Sequence, residues 1–342
     1  MKLVSLFSGI GAFEKALENL NIDHKVINYC EVDEYAGESY SAIHGIDKSF
    51  NLGDITKVKI SDLKQGSADL ITYGFPCQDI SNAGKQKGFE DENGNLTRSG
   101  LFFYAASIIG RIQPKIAICE NVKALAGKKF KKEFDVVLDT LSQIGYNNYW
   151  QVLNAEDYGI PQLRERVFVV SVRKDFDNGQ FKFPKPFNLE KKLEDYLEKE
   201  VDKKYYFSNE ALDRMTKWKS FQNPLDKVLG RKSVSPTITT RIAISDGGGI
   251  NASTKLYSHK LTNEQKLRTG YHDLDIRYYT PKDCWLLMGF EVEDYIKAKK
   301  AIYDLPITDN QKEGCLYKQA GNSIVVNVLM ELFKSLKQAN LI

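Results

Sequence analysis

Cys77 stands in Gly74-Phe75-Pro76-Cys77-Gln78, directly after the apolar run 69–73, where a strand gives way to a loop. A thiol in such a place is accessible, and an accessible thiol with a lowered pKa is a nucleophile. Pro76 restricts the backbone just before the sulfur and can fix its direction. Glu120 closes a second apolar run, 115–119. It is either a satisfied structural carboxylate or a proton donor and acceptor, and partial burial favours its protonated form. Arg164 and Arg166 alternate with Leu163 and Glu165 at the start of a further run, so strand periodicity turns both guanidiniums to one face. That pair suits an anionic or carbonyl-bearing ligand, or is a pair of surface charges. The remaining cysteines read as buried or incidental: Cys30 and Cys119 lie in apolar runs, Cys284 on a helical stretch and Cys315 near a loop.

A second constellation concerns a nucleotide-like ligand. Phe7-Ser8-Gly9-Ile10-Gly11 follows an apolar run and opens a helix, which lets backbone approach a ligand closely, or makes only a tight connection. Glu31 ends the next run, where it can accept hydrogen bonds from a ribose. NAD and S-adenosylmethionine then compete. Position 14 is Glu14 where a dinucleotide site has its third glycine, which disfavours a pyrophosphate on the helix N-terminus. An adenosyl sulfonium ligand has no pyrophosphate to place. Asp54 in Gly53-Asp54-Ile55 either meets an adenine amine or caps a turn.

The elements that must position these residues alternate in type. Runs 2–7, 25–30, 69–73, 115–119, 149–154 and 166–172 read as strands, several apolar on both faces. Phe13, Ala16, Leu17 and Leu20 share a helical face, as do Leu101, Ala105, Ile108 and Ile112, and Phe134, Val137, Leu138 and Leu141. The alternation predicts an α/β fold with a parallel, Rossmann-like sheet and helices on both faces, whose ligands gather at the carboxyl ends of the strands. Phe7–Gly11, Glu31–Asp33, Gly74–Gln78 and Glu120–Val122 all fall at such ends. After about Val172 the rhythm breaks, and Phe183-Pro184-Lys185-Pro186-Phe187 marks a boundary before a charged, aromatic region.

The chain has 342 residues, enough for a large domain and a smaller one, and a net charge of +3, which permits a nucleic-acid partner without demanding one. Five cysteines without a C-x-x-C pair give neither a disulfide framework nor a zinc site and point to a reducing compartment, so the expected localisation is cytoplasmic. The apolar start lacks a cleavage signature, and no stretch approaches the roughly 20 apolar residues of a membrane span.

Taken in order, Phe7–Gly11, Gly74–Gln78, Glu120-Asn121-Val122, Gln162-Leu163-Arg164-Glu165-Arg166 and Gln319-Ala320-Gly321-Asn322-Ser323 resemble the signature of the C5-cytosine DNA methyltransferases. The resemblance covers nearly the whole chain. It is especially close to the HhaI-type bacterial modification enzymes, through Gly84-Lys85-Gln86-Lys87-Gly88-Phe89-Glu90-Asp91, the stretch from Leu153 to Arg166, and 183–187. The chain departs from them by extra residues within 92–99 and a longer 251–277.

That resemblance implies S-adenosylmethionine as methyl donor, with S-adenosylhomocysteine as product, and double-stranded DNA as substrate. Cys77 would add to carbon 6 of a flipped cytosine, Glu120 would hydrogen-bond N3, and Arg164 and Arg166 would steady the base carbonyl and a phosphate. Cofactor contacts are implied at Phe7, Gly9, Gly11, Glu31, Val32, Asp54, Ile55, Pro76, Leu101, Asn322 and Ser323. DNA contacts are implied at Gln78, Ser81, Lys85, Lys87 and Arg98 in a closing loop, 78–100, and at Arg166, Thr239 and Arg241. No metal is implied.

The implied organisation is a catalytic domain over 1–180, a target-recognition domain over 181–279, a hinge over 280–316, and a C-terminal helix over 317–342 that returns to the first domain. Tyr205, Tyr206, Trp218, Lys219 and Arg231 offer aromatic and basic contacts for recognition. The enzyme is expected to be a monomer of a restriction-modification system or a phage, with any cognate endonuclease acting separately. An RNA cytosine-5 methyltransferase of the same fold is the alternative.

Overall fold

The structure is a computed structural model, and it describes residues 1–76, 89, 97–205, 234–240, 255–256 and 277–342. In chain order the first elements are β1 (Lys2–Leu6), α1 (Ala12–Asn19), β2 (Lys25–Cys30), α2 (Glu34–His44), β3 (Leu70–Tyr73), α3 (Phe102–Ile112), β4 (Ile116–Val122), α4 (Lys131–Gln143) and β5 (Tyr146–Asn154). Then come β6 (Gln162–Leu163), β7 (Glu165–Arg173), β8 (Ser235–Pro236), β9 (Lys255–Leu256), β10 (Arg277–Tyr278), α5 (Pro281–Leu286), α6 (Val292–Tyr303), α7 (Asp309–Asn322) and α8 (Val326–Gln338).

Two compact units result, one formed by Met1–Asn154, Glu165–Pro186 and Ser323–Ile342, the other by Ala155–Arg164 and Phe187–Asn322. The first carries a six-stranded sheet in the order β2-β1-β3-β4-β7-β5. β2, β1, β3 and β4 run parallel, whereas β7 is antiparallel to both β4 and β5. The parallel sheet expected from the alternation is present in β2, β1, β3 and β4, and β7 departs from it. The reason is local: only a 3-10 turn and β6 separate β5 from β7, and without a crossover helix the chain returns antiparallel.

The strands are apolar on both faces because both faces are covered. Val4, Leu6, Ile71, Tyr73, Ala117, Cys119, Val167 and Val169 share one core cluster with α3 and α4 residues such as Phe102, Ala105, Ile108, Phe134 and Val137. The alternate residues Leu3, Leu70, Ile116, Ile118 and Val170 are buried as well. α1 packs against α8, with Phe13 edge-on to Phe333 at 6.4 Å. α2 gave no strong amphipathic signal; Asp33 starts it by accepting the Tyr35 and Ala36 amides, and Gly45 ends it in the left-handed region.

In the second unit β6 pairs in parallel with β8. The expected hinge over 280–316 folds there as α5, α6 and most of α7, because its aromatic residues are core: Trp285 is fully buried and its Nε1 donates to the Leu316 carbonyl at 3.0 Å. α5 is fixed at its start by Pro281 and by a reciprocal cap between Thr280 and Asp283. Among the described residues, no helix is long and apolar enough to cross a membrane.

Candidate active site

Beyond β1 the backbone turns through Phe7, Gly9 and Gly11 at φ 54°, 56° and 79°. A left-handed phenylalanine is uncommon and marks a strained turn. The carboxylate of Glu31 organises the opening. Its Oε2 accepts the Gly9 amide at 2.8 Å and its Oε1 the Asp33 amide at 2.7 Å. Burial pushes the Glu31 carboxyl up, and the backbone donors of Asp33 and Gly9 counter part of that rise. Asn51 clamps the end of β2: its Oδ1 accepts the Glu31 and Gly53 amides and its Nδ2 donates to the Glu31 carbonyl. Asp54 caps the turn Ile55–Lys57 through the Thr56 amide and hydroxyl, with Ile55 buried beneath. Val32, beside Glu31, is 76% exposed.

This cradle fits an adenosyl ligand by two observations. A side chain at Gly9 would meet nothing within 4 Å, so the turn faces open space. The Ser8 hydroxyl is buried without a partner among the described residues, as a group awaiting a ligand would be.

The reacting end is built by β3 and β4. Their parallel register pairs Tyr73 with Cys119 and so sets Gly74 beside Glu120. A Cβ on Gly74 would lie 3.5 Å from Glu120 Oε2, in ordinary van der Waals contact, so the turn after β3 and the carboxyl group are direct neighbours. Glu120 Oε1 lies 3.0 Å from Arg166 Nε, and the two side chains are 12% and 17% exposed. Arg166 stands opposite Val122, the diagonal neighbour of Glu120 on the same face of the sheet. The backbone leading to the thiol is held twice: Asn121 Nδ2 donates to the Phe75 carbonyl at 3.1 Å, and the buried Ser99 hydroxyl to the Pro76 carbonyl at 2.9 Å. Cys77 itself lies outside the described residues, as do Gln78, Ser81, Lys85, Lys87 and Arg241.

The two arginines fall in different units. Arg164 falls between β6 and β7, is 4% exposed, and donates to the Ile238 carbonyl at 2.7 Å and the Gly321 carbonyl at 3.1 Å, all within the second unit. Its guanidinium binds backbone carbonyls of its own unit, and Arg166 meets Glu120 in the first unit. Strand alternation misled because β6 stops at Leu163 and β7 starts afresh at Glu165.

Tyr205, expected to meet DNA, is instead buried and donates to Glu313 Oε1 at 2.9 Å. Tyr206, Trp218, Lys219 and Arg231 lie outside the described residues. Arg98 is exposed at the start of the turn Arg98–Leu101, and Leu101 packs partly against the core. Thr239 adjoins Ile238 in the second unit, Asn322 ends α7, and Ser323 opens the last stretch of the first unit. Cys30, Cys119 and Cys284 are buried; burial pushes the Cys30 thiol up to about 12 and raises the other two well above the ordinary thiol value, which disfavours all three as nucleophiles.

Sequence reasoning assigned no part to Asn51, Ser99 or Asn121. Asn121 sits inside the Glu-Asn-Val motif and was within reach of inference. Asn51 and Ser99 carried no local signal, because each acts on a carbonyl or amide from another segment.

A profile of the C-5 cytosine-specific DNA methylases matches residues 1–338. The chain belongs to that family. It is 34% identical to the type II methyltransferase M.HhaI of Haemophilus parahaemolyticus, across 96% of this chain and 92% of that protein. It is 30% identical to the orphan methyltransferase M.SPBetaI of Bacillus phage SPbeta, across 98% and 97%. Among solved structures, the fold is similar to the Dnmt2 methyltransferase of S. pombe (TM-score 0.69, 22% identity, 99% of each chain). It is also similar to EhMeth of Entamoeba histolytica (TM-score 0.74, 20% identity, 99% and 98%). Membership makes the chain a cytosine-5 methyltransferase with a Rossmann-like fold, as the motifs implied.

Proposed function

We propose that this methyltransferase moves a methyl group from S-adenosylmethionine to carbon 5 of a cytosine flipped out of a specific sequence in duplex DNA. It would act as a monomer in the cytoplasm, in bacterial or phage modification. The observation that carries the reading is the Glu120–Arg166 pair at the carboxyl edge of the sheet, beside Gly74 and three residues from Cys77.

Carbon 5 of cytosine is not nucleophilic by itself. The Cys77 thiolate adds to carbon 6 while Glu120 delivers a proton to N3, so the ring electrons collect at carbon 5 as an enamine. Arg166 steadies the Glu120 carboxylate and the ring carbonyl as charge moves. Bound S-adenosylmethionine supplies the electrophilic methyl. Once carbon 5 is methylated, a general base takes its proton, the C5–H electron pair re-forms the ring double bond as Cys77 leaves as thiolate, and Glu120 recovers the N3 proton. Glu31, Asp54 and Ser8, with the amides of the Gly9 turn, would hold the adenosyl group. Thr239, Arg98 and the lysines of 78–100 would contact phosphates. A stacked base offers neither ring face, which is why it must be extruded.

The test is a duplex carrying 5-fluorocytosine at the target. Carbon 5 then has no removable proton, and a stable adduct at Cys77 is expected. Cys77→Ser should lose the adduct and lower the methylation rate by roughly 10³-fold or more. Unchanged methylation by Cys77→Ser would refute the mechanism. Methyl transfer to transfer RNA in place of duplex DNA would move the substrate to RNA.

A further inference from the structure

Beneath the glycine turn lies a buried polar cluster in which both ring nitrogens of His44 face acceptors. Nδ1 is 2.7 Å from Glu18 Oε1 and Nε2 is 3.1 Å from the Ile10 carbonyl oxygen. A carbonyl only accepts and a carboxylate only accepts, so both nitrogens must carry hydrogen and the ring is an imidazolium. The ring is packed against the turn itself: a Cβ on Gly11 would collide with His44 Nε2 and come within 2.9 Å of Tyr40 Cε2. Tyr40 lies 4.8 Å from the His44 ring, stacks on Tyr29 at 4.1 Å, and donates its hydroxyl to Glu14 Oε1 at 3.0 Å. Glu14 is 1% exposed, and its Oε2 has no hydrogen-bond partner among the described residues. A buried carboxylate in that state calls for a nearby cation.

We propose that His44 is a positioning residue for the cofactor: its imidazolium holds the Ile10 carbonyl, and with it the Gly9–Gly11 turn, in the shape that binds S-adenosylmethionine. The inference rests on the adenosyl reading of that turn.

The titratable groups around His44 are Glu14 and Glu18 from α1 and Tyr40 from its own helix. Lys15 and His24 act on Glu18, and Tyr29 stands behind Tyr40. Burial pulls the His44 pKa down, but the Glu18 hydrogen bond, the charges of Glu14 and Glu18 and the Ile10 carbonyl outweigh it, so the net shift is upward from 6.5. A raised value means that the imidazolium's stabilisation is complete below 6.5 and is lost as pH climbs through the folded-state value. On deprotonation the proton stays on Nδ1 facing the carboxylate. Nε2 then presents a lone pair to the Ile10 carbonyl, repelling the oxygen it had held.

S-adenosylhomocysteine affinity should be measured by calorimetry from pH 6 to 9.5 on wild type, His44→Gln, His44→Phe and Glu18→Gln, beside their thermal unfolding. Comparing variants at each pH cancels the ligand's own titration. Relative to His44→Gln, whose amide can donate but not titrate, the wild type should weaken at least about fivefold across its transition. His44→Phe should bind at least about fivefold more weakly at low pH, with kcat at saturating cofactor kept within about twofold. Glu18→Gln should move the transition to lower pH. Wild-type affinity and pH profile in His44→Phe would overturn the proposal; should that variant not fold, an unmoved transition in Glu18→Gln does the same. A folded wild type that binds no S-adenosylhomocysteine at pH 6.5 would remove the cofactor reading and this inference together, whereas binding without a His44-dependent profile removes this inference alone.

Discussion

Two ion pairs of similar composition stand in the two units, and they do different work. Arg277 and Asp283 are 6% and 0% exposed in the second unit, with NH1 and Oδ2 at 2.6 Å. Asp283 also accepts the Thr280 and Glu198 amides, and Arg277 donates to the Tyr278 and Glu198 carbonyls. Apart from the ion pair itself, these bonds fasten backbone. Glu120 and Arg166 meet at the longer distance of 3.0 Å, with more of each side chain exposed, at the end of a strand where ligands collect. An ion pair becomes chemistry when one partner can exchange a proton with something that arrives, and becomes scaffold when backbone occupies both partners.

The sharpest way to break this comparison is to neutralise one carboxylate in each pair. Glu120→Gln should lower the methylation rate by about 10²–10⁴-fold and leave the unfolding midpoint nearly unmoved. Asp283→Ala should cost about 3–5 kcal/mol of stability by stranding the Arg277 charge, seen as a lower denaturant midpoint. A Glu120→Gln protein that melts early but turns over normally would reverse the assignment. The arginines give the next effect: Arg164→Met should destabilise by roughly 1–3 kcal/mol for each carbonyl left bare, while Arg166→Met should act on rate, the two separated by comparing unfolding with turnover. The smallest effect is expected at the exposed pair Lys131 and Asp135, 2.7 Å apart on α4. Lys131→Ala should change stability by less than about 0.5 kcal/mol in urea unfolding.

Much of the site was legible in the sequence because its signals are local. Glycine where φ is positive and a carboxylate after an apolar run each depend on neighbours within a few residues. The strand runs were legible for the same reason, since β3 and β4 are buried on both faces and so carry continuous apolar stretches. Tyr205 misled: an aromatic beside lysines resembles a nucleic-acid contact whether its hydroxyl meets a base or, as here, Glu313.

The sequence by itself determined the chemistry that the first unit can perform: the order of the motifs, the acidic ends of β2 and β4, and the alternation of strand and helix that gathers them. Tertiary structure alone decided which arginine stays with Glu120 and which is drawn to carbonyls 74 and 157 residues away. It also decided that His44 would close on Ile10, 34 residues back. The physical reason is that backbone preference and side-chain periodicity are properties of short stretches. A hydrogen-bond partner is a property of whichever distant segment packing brings within three ångströms, and a guanidinium or an imidazole has no local feature that names it in advance.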